Sequence, residues 1–113
     1  MKTIIEQAWN DRTMLQDAAV QSTIRSVIDQ LDAGQLRVAE KVDGNWVVYE
    51  WVKKAVILYF PIQPMETIEV GPFEFHDKIP LKKEYAKLGV RVVPHAIARY
   101  GAFVASGVIM MPS

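Results

Sequence analysis

Cysteine is absent from the 113-residue chain, which excludes disulfide bonds and thiolate chemistry. An excess of charge of one sign is also lacking, because 13 basic side chains balance 13 acidic ones. Composition therefore gives no reason to expect nucleic acid or a membrane surface as a partner. No stretch approaches the ~20 apolar residues of a membrane span, and the amino terminus has too short an apolar run for a signal peptide. We expect one small cytoplasmic domain.

Several chemical motifs are missing too. The chain contains no glycine-rich phosphate loop, no nucleophile elbow and no paired acid/base carboxylate motif. Its two histidines, His76 and His95, have no further ligand at metal spacing. We therefore predict that no metal is bound, and motifs alone assign neither a catalytic residue nor a cofactor.

Two amphipathic helices are predicted at the amino-terminal end. Apolar residues spaced by three and four form one face of residues 17–33, with Asp17 placed to cap the start and Gly34 suited to a left-handed stop. A shorter apolar stripe predicts a first helix over residues 2–12, packed on the second. The apolar positions of the second helix are Val20, Ile24, Val27, Ile28 and Leu31.

The period of the apolar residues then changes. Residues 36–48 contain two apolar-rich runs around Asp43 and Gly44, a dipeptide that accepts the positive φ angles of a tight turn, so a hairpin is predicted. Residues 49–60 have almost no polar face and fit either a buried helix or a buried strand by periodicity. We favour a helix, because prolines follow directly and would end it.

The second half of the chain is less regular. Residues 61–79 are predicted to form an irregular connection, because they contain Pro61, Pro64, Gly71 and Pro72. Pro80 is placed to begin a helix that Gly89 ends. Residues 90–94, "VRVVP", are then predicted to form a strand that leads into the end of the chain.

The last residues repeat with period six. Apolar residues recur at Ile97, Phe103 and Ile109, and small residues recur at Gly101, Gly107 and Ser113. A chain that turns a corner every six residues forms a parallel β-helix of hexapeptide repeats, and three such faces make one coil. One coil would leave Phe103, Ile109 and Met111 uncovered. The spacing alone equally allows an edge strand and loop of a compact α+β domain.

The exact residue sequences of three segments are more informative than the spacing of their apolar residues. "LDAGQLRVAEKVDGNWVVYEWVKKAVILYF", "HDKIPLK" and "GVRVVPHAIARYGAFVASGVIMMPS" resemble the N-terminal part of the bacterial tetrahydrodipicolinate N-succinyltransferases. The resemblance covers nearly all of residues 24–113 and extends weakly through "IIEQAW". It implies an α+β chain: a small helical N-terminal domain with a short β-hairpin over residues 1–94, then the incomplete first coil of a left-handed parallel β-helix over residues 95–113.

The resemblance also implies a function. Members of that family are homotrimers that move a succinyl group from succinyl-CoA to the amino group of ring-opened tetrahydrodipicolinate, in lysine and diaminopimelate biosynthesis. Their coenzyme A site and the carboxylate associated with the accepting amine correspond to positions beyond residue 113, so this chain alone is expected to be inactive and to bind no cofactor. The alternative is a small stand-alone interaction or binding domain without catalytic activity.

One substrate-binding residue follows from the resemblance. The arginine of the "RVVP" motif matches Arg91, and a guanidinium can bind a carboxylate through two parallel hydrogen bonds. Arg99 is a secondary candidate for the same anion, although an exposed corner of the first coil would explain it equally well. Without the resemblance, an arginine alone in a strand is usually solvated. His76 and His95 depart from the family pattern, and no role is assigned to them.

The paired lysines and the tryptophans are predicted to have structural rather than binding roles. Two lysine pairs are assigned to solvated helix positions rather than to phosphate contacts: Lys53 with Lys54, and Lys82 with Lys83. The three tryptophans are assigned to the core rather than to a ligand platform: Trp9, Trp46 and Trp51.

Overall fold

The protein is described by a computed structural model that covers residues 1–112. Helix α1 spans Lys2–Asn10, a short 3-10 turn spans Arg12–Gln16, helix α2 spans Ala18–Asp32 and helix α3 spans Glu50–Ile62. The first predicted helix therefore ends two residues early, because Asp11 caps the following 3-10 turn by accepting from the backbone N–H of Thr13.

Helix α2 has the ends that its sequence predicts. The Asp17 side chain accepts from the backbone N–H of Ala19 at 2.8 Å, which satisfies one of the unpaired donors of the first turn. At the other end Gly34 adopts a left-handed φ of +75°. The predicted start and stop of this helix are confirmed.

The core lies between the three longer helices. All five predicted apolar residues of α2 are buried, and Ile5 and Ala8 of α1 are fully buried against them. Residues 49–60 were open to two interpretations, and the helix is the one confirmed, with Val52 and Leu58 fully buried. Helix α3 runs through Pro61 to Ile62, so proline does not stop it at the predicted place.

The first hairpin has the predicted turn. Strands β1 (Ala39–Val42) and β2 (Asn45–Val48) are antiparallel, and φ is +50° at Asp43 and +82° at Gly44, as a two-residue type I′ turn requires. Both strands are exposed. The core assignment of Trp46 is wrong, since 71% of this residue is exposed on a hairpin whose two strands are both exposed. Trp9 and Trp51 pack against the core.

A second hairpin replaces the predicted irregular connection. Strands β3 (Glu66–Val70) and β4 (Phe73–Asp77) pair in antiparallel register, so the prediction for residues 61–79 is wrong. The breaking residues precede the first strand or lie in the turn, where Gly71 has a φ of +57°. A glycine followed by proline fits a two-residue turn and interrupts neither strand.

Most of the helix predicted after Pro80 is absent. Helix α4 is one turn, Tyr85–Leu88, ended as predicted by Gly89 in a left-handed conformation. Residues 80–82 pair with a distant segment instead, because the Lys82 N–H donates to the Ala98 carbonyl at 2.9 Å and the Tyr100 N–H donates to the Pro80 carbonyl at 2.7 Å. These long-range backbone bonds hold the segment in a form that local sequence does not reveal.

Strands β5 (Arg91–Val92) and β6 (Ile109–Met110) are parallel. Their partners are 18 positions apart in the sequence (91 to 109 and 92 to 110), which equals three six-residue steps. The strand predicted over residues 90–94 is confirmed at its centre. Ser113, the last of the small residues spaced by six, lies outside the described residues. Within residues 1–112 no helix is long and apolar enough to cross a membrane.

Candidate functional site

Arg91 lies on β5 with its side chain exposed. Val90 before it is 7% exposed and Val92 after it is partly buried, so Arg91 is the most exposed of the three residues. The backbone is fixed, because the Arg91 N–H donates to the Val108 carbonyl and the Val93 N–H donates to the Met110 carbonyl, both at 3.0 Å. Among residues 1–112 no carboxylate forms an ion pair with Arg91.

Arg99 has an internal partner. Its Nη2 lies 2.8 Å from Asp77 Oδ2, and its guanidinium stacks over the Phe60 ring at 5.5 Å. The pKa of Asp77 is lowered, first by a hydrogen bond from the backbone of Lys78 and further by Arg99. No hydrogen bond or shared ion-pair partner joins the two candidate arginines in the part of the chain that the structure covers.

A cavity of about 220 Å³ lies beside Arg99. Its wall is mainly apolar and includes Ile28, Tyr59, Phe60, Ile79 and Tyr100, with Arg99 as its charged member. Arg99 therefore lies beside an apolar cavity, whereas Arg91 lies on an exposed strand. The secondary assignment of Arg99 to the same anion site stays a prediction.

The surroundings of Lys82 differ from those predicted from the sequence. The prediction that it is solvated is wrong, because only 5% of the residue is exposed. Its Nζ lies 2.8 Å from Asp32 Oδ1, which also accepts from the backbone N–H of Gly101 at 2.9 Å. Asp32 ends α2, so this carboxylate joins three segments: the helix, the extended segment after Pro80 and the period-six segment.

A second polar contact and an aromatic contact fix the same segment on α2. The Tyr100 hydroxyl donates to Asp29 Oδ1 at 2.6 Å, and this hydrogen bond is the main reason that the pKa of Tyr100 lies above its ordinary value. The Phe103 ring packs directly on Gly34, under the Arg37 guanidinium at 4.3 Å. These contacts attach the period-six segment, which continues into β6, the partner strand of Arg91, to α2 and the residues after it.

The other lysines and the histidines have simpler surroundings. Lys53 and Lys83 are exposed, as predicted, but Lys83 precedes α4 and does not occupy the predicted helix position. Lys54 pairs with Glu6 at 2.8 Å. His76 Nδ1 lies 2.9 Å from the Thr67 hydroxyl across the second hairpin. Residues 1–112 contain no group of three potential ligands that could hold a metal ion, and the prediction that no metal is bound stays a prediction.

Within residues 1–112, α-helices and short two-stranded sheets together define an α+β fold. The family described as Tetrahydrodipicolinate N-succinyltransferase N-terminal matches residues 1–62, and the chain belongs to this family. The resemblance found in the sequence is thereby confirmed.

Curated relatives match along the whole chain. The chain is 44% identical over 123 residues to 2,3,4,5-tetrahydropyridine-2,6-dicarboxylate N-succinyltransferase of Bordetella pertussis. It is 45% identical over 124 residues to the protein of that name from Ralstonia nicotianae, and 42% identical over 123 residues to that from Pseudoalteromonas translucida. Each alignment includes 100% of this chain and 45% of the relative, so the chain spans less than half the length of these relatives.

Proposed function

We propose that this chain is the N-terminal part of an enzyme that transfers a succinyl group from succinyl-CoA to ring-opened tetrahydrodipicolinate, and that Arg91 binds a carboxylate of this acceptor. The observation that carries the proposal is the alignment of the full chain with N-succinyltransferases of three genera at 42–45% identity. The exposed Arg91, which has no carboxylate partner among residues 1–112, supports its assigned role.

The 18-residue parallel register supports the structural part of the proposal. It is the pairing expected when three six-residue faces complete one coil. We assign β5 and β6 to the first coil of a left-handed parallel β-helix. The predicted boundary after residue 94 then falls just beyond the first strand of that coil. A homotrimer, a cytoplasmic location and a place in lysine and diaminopimelate biosynthesis belong to the same proposal.

In this account Arg91 binds and orients the acceptor. Its planar guanidinium donates two parallel N–H bonds to one carboxylate, which limits rotation of the acceptor as well as holding its charge. Orientation is productive only when the acyl donor and a base stand against the amine. We therefore expect the 113-residue chain alone to show no succinyl transfer.

A chimaera tests the proposal. This chain replaces the matching N-terminal part of the Bordetella pertussis relative, and thiol release from succinyl-CoA is measured with and without tetrahydrodipicolinate. We expect turnover in the chimaera and background rates with the chain alone. Turnover by the chain alone, or a folded chimaera that lacks activity, would contradict the proposal.

The role of Arg91 is tested in the same chimaera. Arg91→Ala should raise the KM for the dicarboxylate far more than the KM for succinyl-CoA, at a loss of about 2–4 kcal/mol in transition-state binding. Arg91→Lys should recover little, because lysine keeps the charge without the two-pronged geometry. Arg99→Ala is the matched control, with a smaller expected effect since Arg99 already pairs with Asp77. Equal effects of Arg91→Ala on both substrates would place the residue outside the acceptor site.

The alternative function is a stand-alone interaction domain. The first hairpin favours it, because Trp46 is 71% exposed and Val48 is 52% exposed there, and exposed apolar groups of this kind are common at protein interfaces. An inactive chimaera together with capture of a defined partner that Trp46→Ser abolishes would favour this alternative.

A further inference from the structure

Backbone hydrogen bonds before and at Arg91 determine where its strand lies. Two residues before it, the Gly89 carbonyl accepts from the Gly107 N–H at 2.8 Å. At the arginine itself, the N–H donates to the Val108 carbonyl at 3.0 Å. The bond between the two glycines is therefore the first of those that join the strand of Arg91 to residues 107–110.

Gly107 is the third residue of a tight turn. The Val108 N–H donates to the Ala105 carbonyl at 3.2 Å, which closes a four-residue turn over residues 105–108. Gly107 has a φ of +89°, and a positive φ at this position fits a type II turn, which favours glycine or asparagine there. An added Cβ at Gly107 would meet nothing within 4 Å. Backbone conformation, rather than space, thus restricts the residue at this position.

The turn and the parallel pair share Gly107. A residue that cannot adopt its φ would open the turn and weaken the bond to the Gly89 carbonyl, so β5 would lose its first contact with the segment of β6. The register of the pair would then be less well fixed. Register matters here because a slip of one residue sends every side chain of a strand to its opposite face.

We infer that Gly107 is a positioning residue for Arg91, because the turn that it forms holds β5 in the register that directs the guanidinium to the acceptor carboxylate. The inference rests on the proposed function and adds a residue to it. Gly107 acts through Arg91 and touches no substrate. Two-pronged binding of a carboxylate depends on the angle of the guanidinium as well as on its charge, so loss of the register should weaken acceptor binding and leave succinyl-CoA binding unchanged.

Two substitutions of similar size at Gly107 test the inference in the chimaera. Asparagine tolerates a positive φ, whereas valine, which is branched at Cβ, does not. Gly107→Val should raise the KM for the dicarboxylate about tenfold, less than the ~100-fold that a 1 Å misplacement can cost, with the KM for succinyl-CoA unchanged. Gly107→Asn should stay within about twofold of the unaltered chimaera in both KM values.

A double variant shows whether Gly107 acts through Arg91. If it does, Gly107→Val adds nothing to the KM of Arg91→Ala, because the group that it displaces is already gone. A general structural role would raise the KM by the same factor in both backgrounds. Gly71→Val is the control, because Gly71 has a φ of +57° in the turn of the second hairpin and an added Cβ there also meets nothing within 4 Å. It should change neither KM.

Amide exchange in the 113-residue chain gives a readout that does not depend on catalysis. Gly107→Val should speed exchange of the Arg91 N–H and leave Ile24 and Val27 of α2 protected. If Gly107→Val does not fold, Gly107→Ala replaces it in both experiments. Alanine at a positive φ is less strained than a branched residue, so the same pattern is expected with smaller changes.

The outcomes separate this inference from the proposed function. If Gly107→Val raises both KM values equally, or raises the KM for the dicarboxylate equally with and without Arg91, the inference is wrong and the role of Arg91 stands. Unchanged kinetics together with fast exchange at Arg91 would also overturn it, because acceptor binding would then not depend on the register. If Arg91→Ala alone leaves the KM for the dicarboxylate unchanged, the role of Arg91 and the inference are both contradicted.

Discussion

Lys82 and Asp32 form an ion pair with 2.8 Å between Nζ and Oδ1, and only 3% of the lysine side chain is exposed. Removing one partner of a buried ion pair leaves an uncompensated charge, which is strongly destabilising. The same carboxylate accepts from the backbone N–H of Gly101. This pair therefore couples the end of α2 to the segment that leads into the parallel strands.

Removing one member of this pair should destabilise the chain. We expect Lys82→Met to lower the free energy of unfolding in urea by about 2–4 kcal/mol, because it leaves Asp32 without its counter-charge in a mainly buried place. Lys83→Met, on the adjacent exposed lysine, is the control and should change stability by less than about 0.5 kcal/mol. Equal effects of the two variants would show that the pair does not contribute to stability.

Alanine substitutions at two glycines with similar φ angles distinguish the free-energy cost of backbone strain from the cost of steric overlap. An added Cβ at Gly34 would lie 2.6 Å from the Phe103 ring, whereas one at Gly44 would meet nothing within 4 Å. Gly44→Ala should cost about 1–2 kcal/mol from the positive φ alone. Gly34→Ala should cost about 1–3 kcal/mol more, because the Phe103 ring must move. Identical urea midpoints for both variants would contradict the packing of Phe103 on Gly34.

The Tyr100–Asp29 hydrogen bond should make stability depend on alkaline pH. The pKa of Tyr100 is raised, mainly because its hydroxyl donates to Asp29. A group whose pKa is higher in the folded state stabilises it fully below its unfolded pKa of about 10, and this contribution is lost as the pH rises further. Urea unfolding between pH 8 and 11 should therefore show a smaller alkaline loss for Tyr100→Phe than for the unaltered chain.

A second tyrosine substitution controls for general alkaline effects. The pKa values of Tyr49 and Tyr59 are also raised, by the hydrogen bond to Glu40 and by burial respectively, so part of the alkaline loss should persist in Tyr100→Phe. Tyr85→Phe, which removes a tyrosine with no side-chain hydrogen bond among the described residues, should keep the full loss. If Tyr100→Phe and Tyr85→Phe give the same profile, the hydrogen bond to Asp29 is not the cause.

Glu69 and Glu74 are direct partners across the second hairpin, and both are exposed. Like charges directly opposite each other destabilise a strand pair. Glu74→Thr should therefore raise the free energy of unfolding by about 0.2–1 kcal/mol at low ionic strength, with a smaller gain in ~1 M salt because screening weakens the repulsion. A gain of the same size at both ionic strengths would assign it to strand propensity instead.

The sequence predicted those helices and strands whose formation depends on residues close together in the chain. The apolar spacing from Val20 to Leu31, with Asp17 before it, predicted α2, and Asp43 with Gly44 predicted the first hairpin. The second hairpin was missed because prolines around it were interpreted as interruptions, although they lie outside its strands. The apolar and glycine spacing of six was compatible with the parallel pairing but did not choose between a coil and an ordinary edge strand.

The remaining differences come from contacts between distant residues. Lys82 meets a carboxylate 50 positions earlier, and the extended backbone around it pairs with residues 98–100, so neither its burial nor the loss of the predicted helix is encoded locally. Trp46 is of a residue type common in protein cores, yet both strands of its hairpin are exposed. Arg91 has no distinguishing local signal, and its proposed role depends on the family.

The central proposal is that β5 and β6 belong to the first coil of a parallel β-helix, and residue-resolved amide exchange tests it most directly. The account predicts the slowest exchange in α2 at Ile24 and Val27. It also predicts slower exchange at Arg91 and Val93, whose N–H groups donate across the parallel pair, than at Val92 between them. Equally fast exchange at these three strand positions in a chain with a protected α2 would contradict the coil.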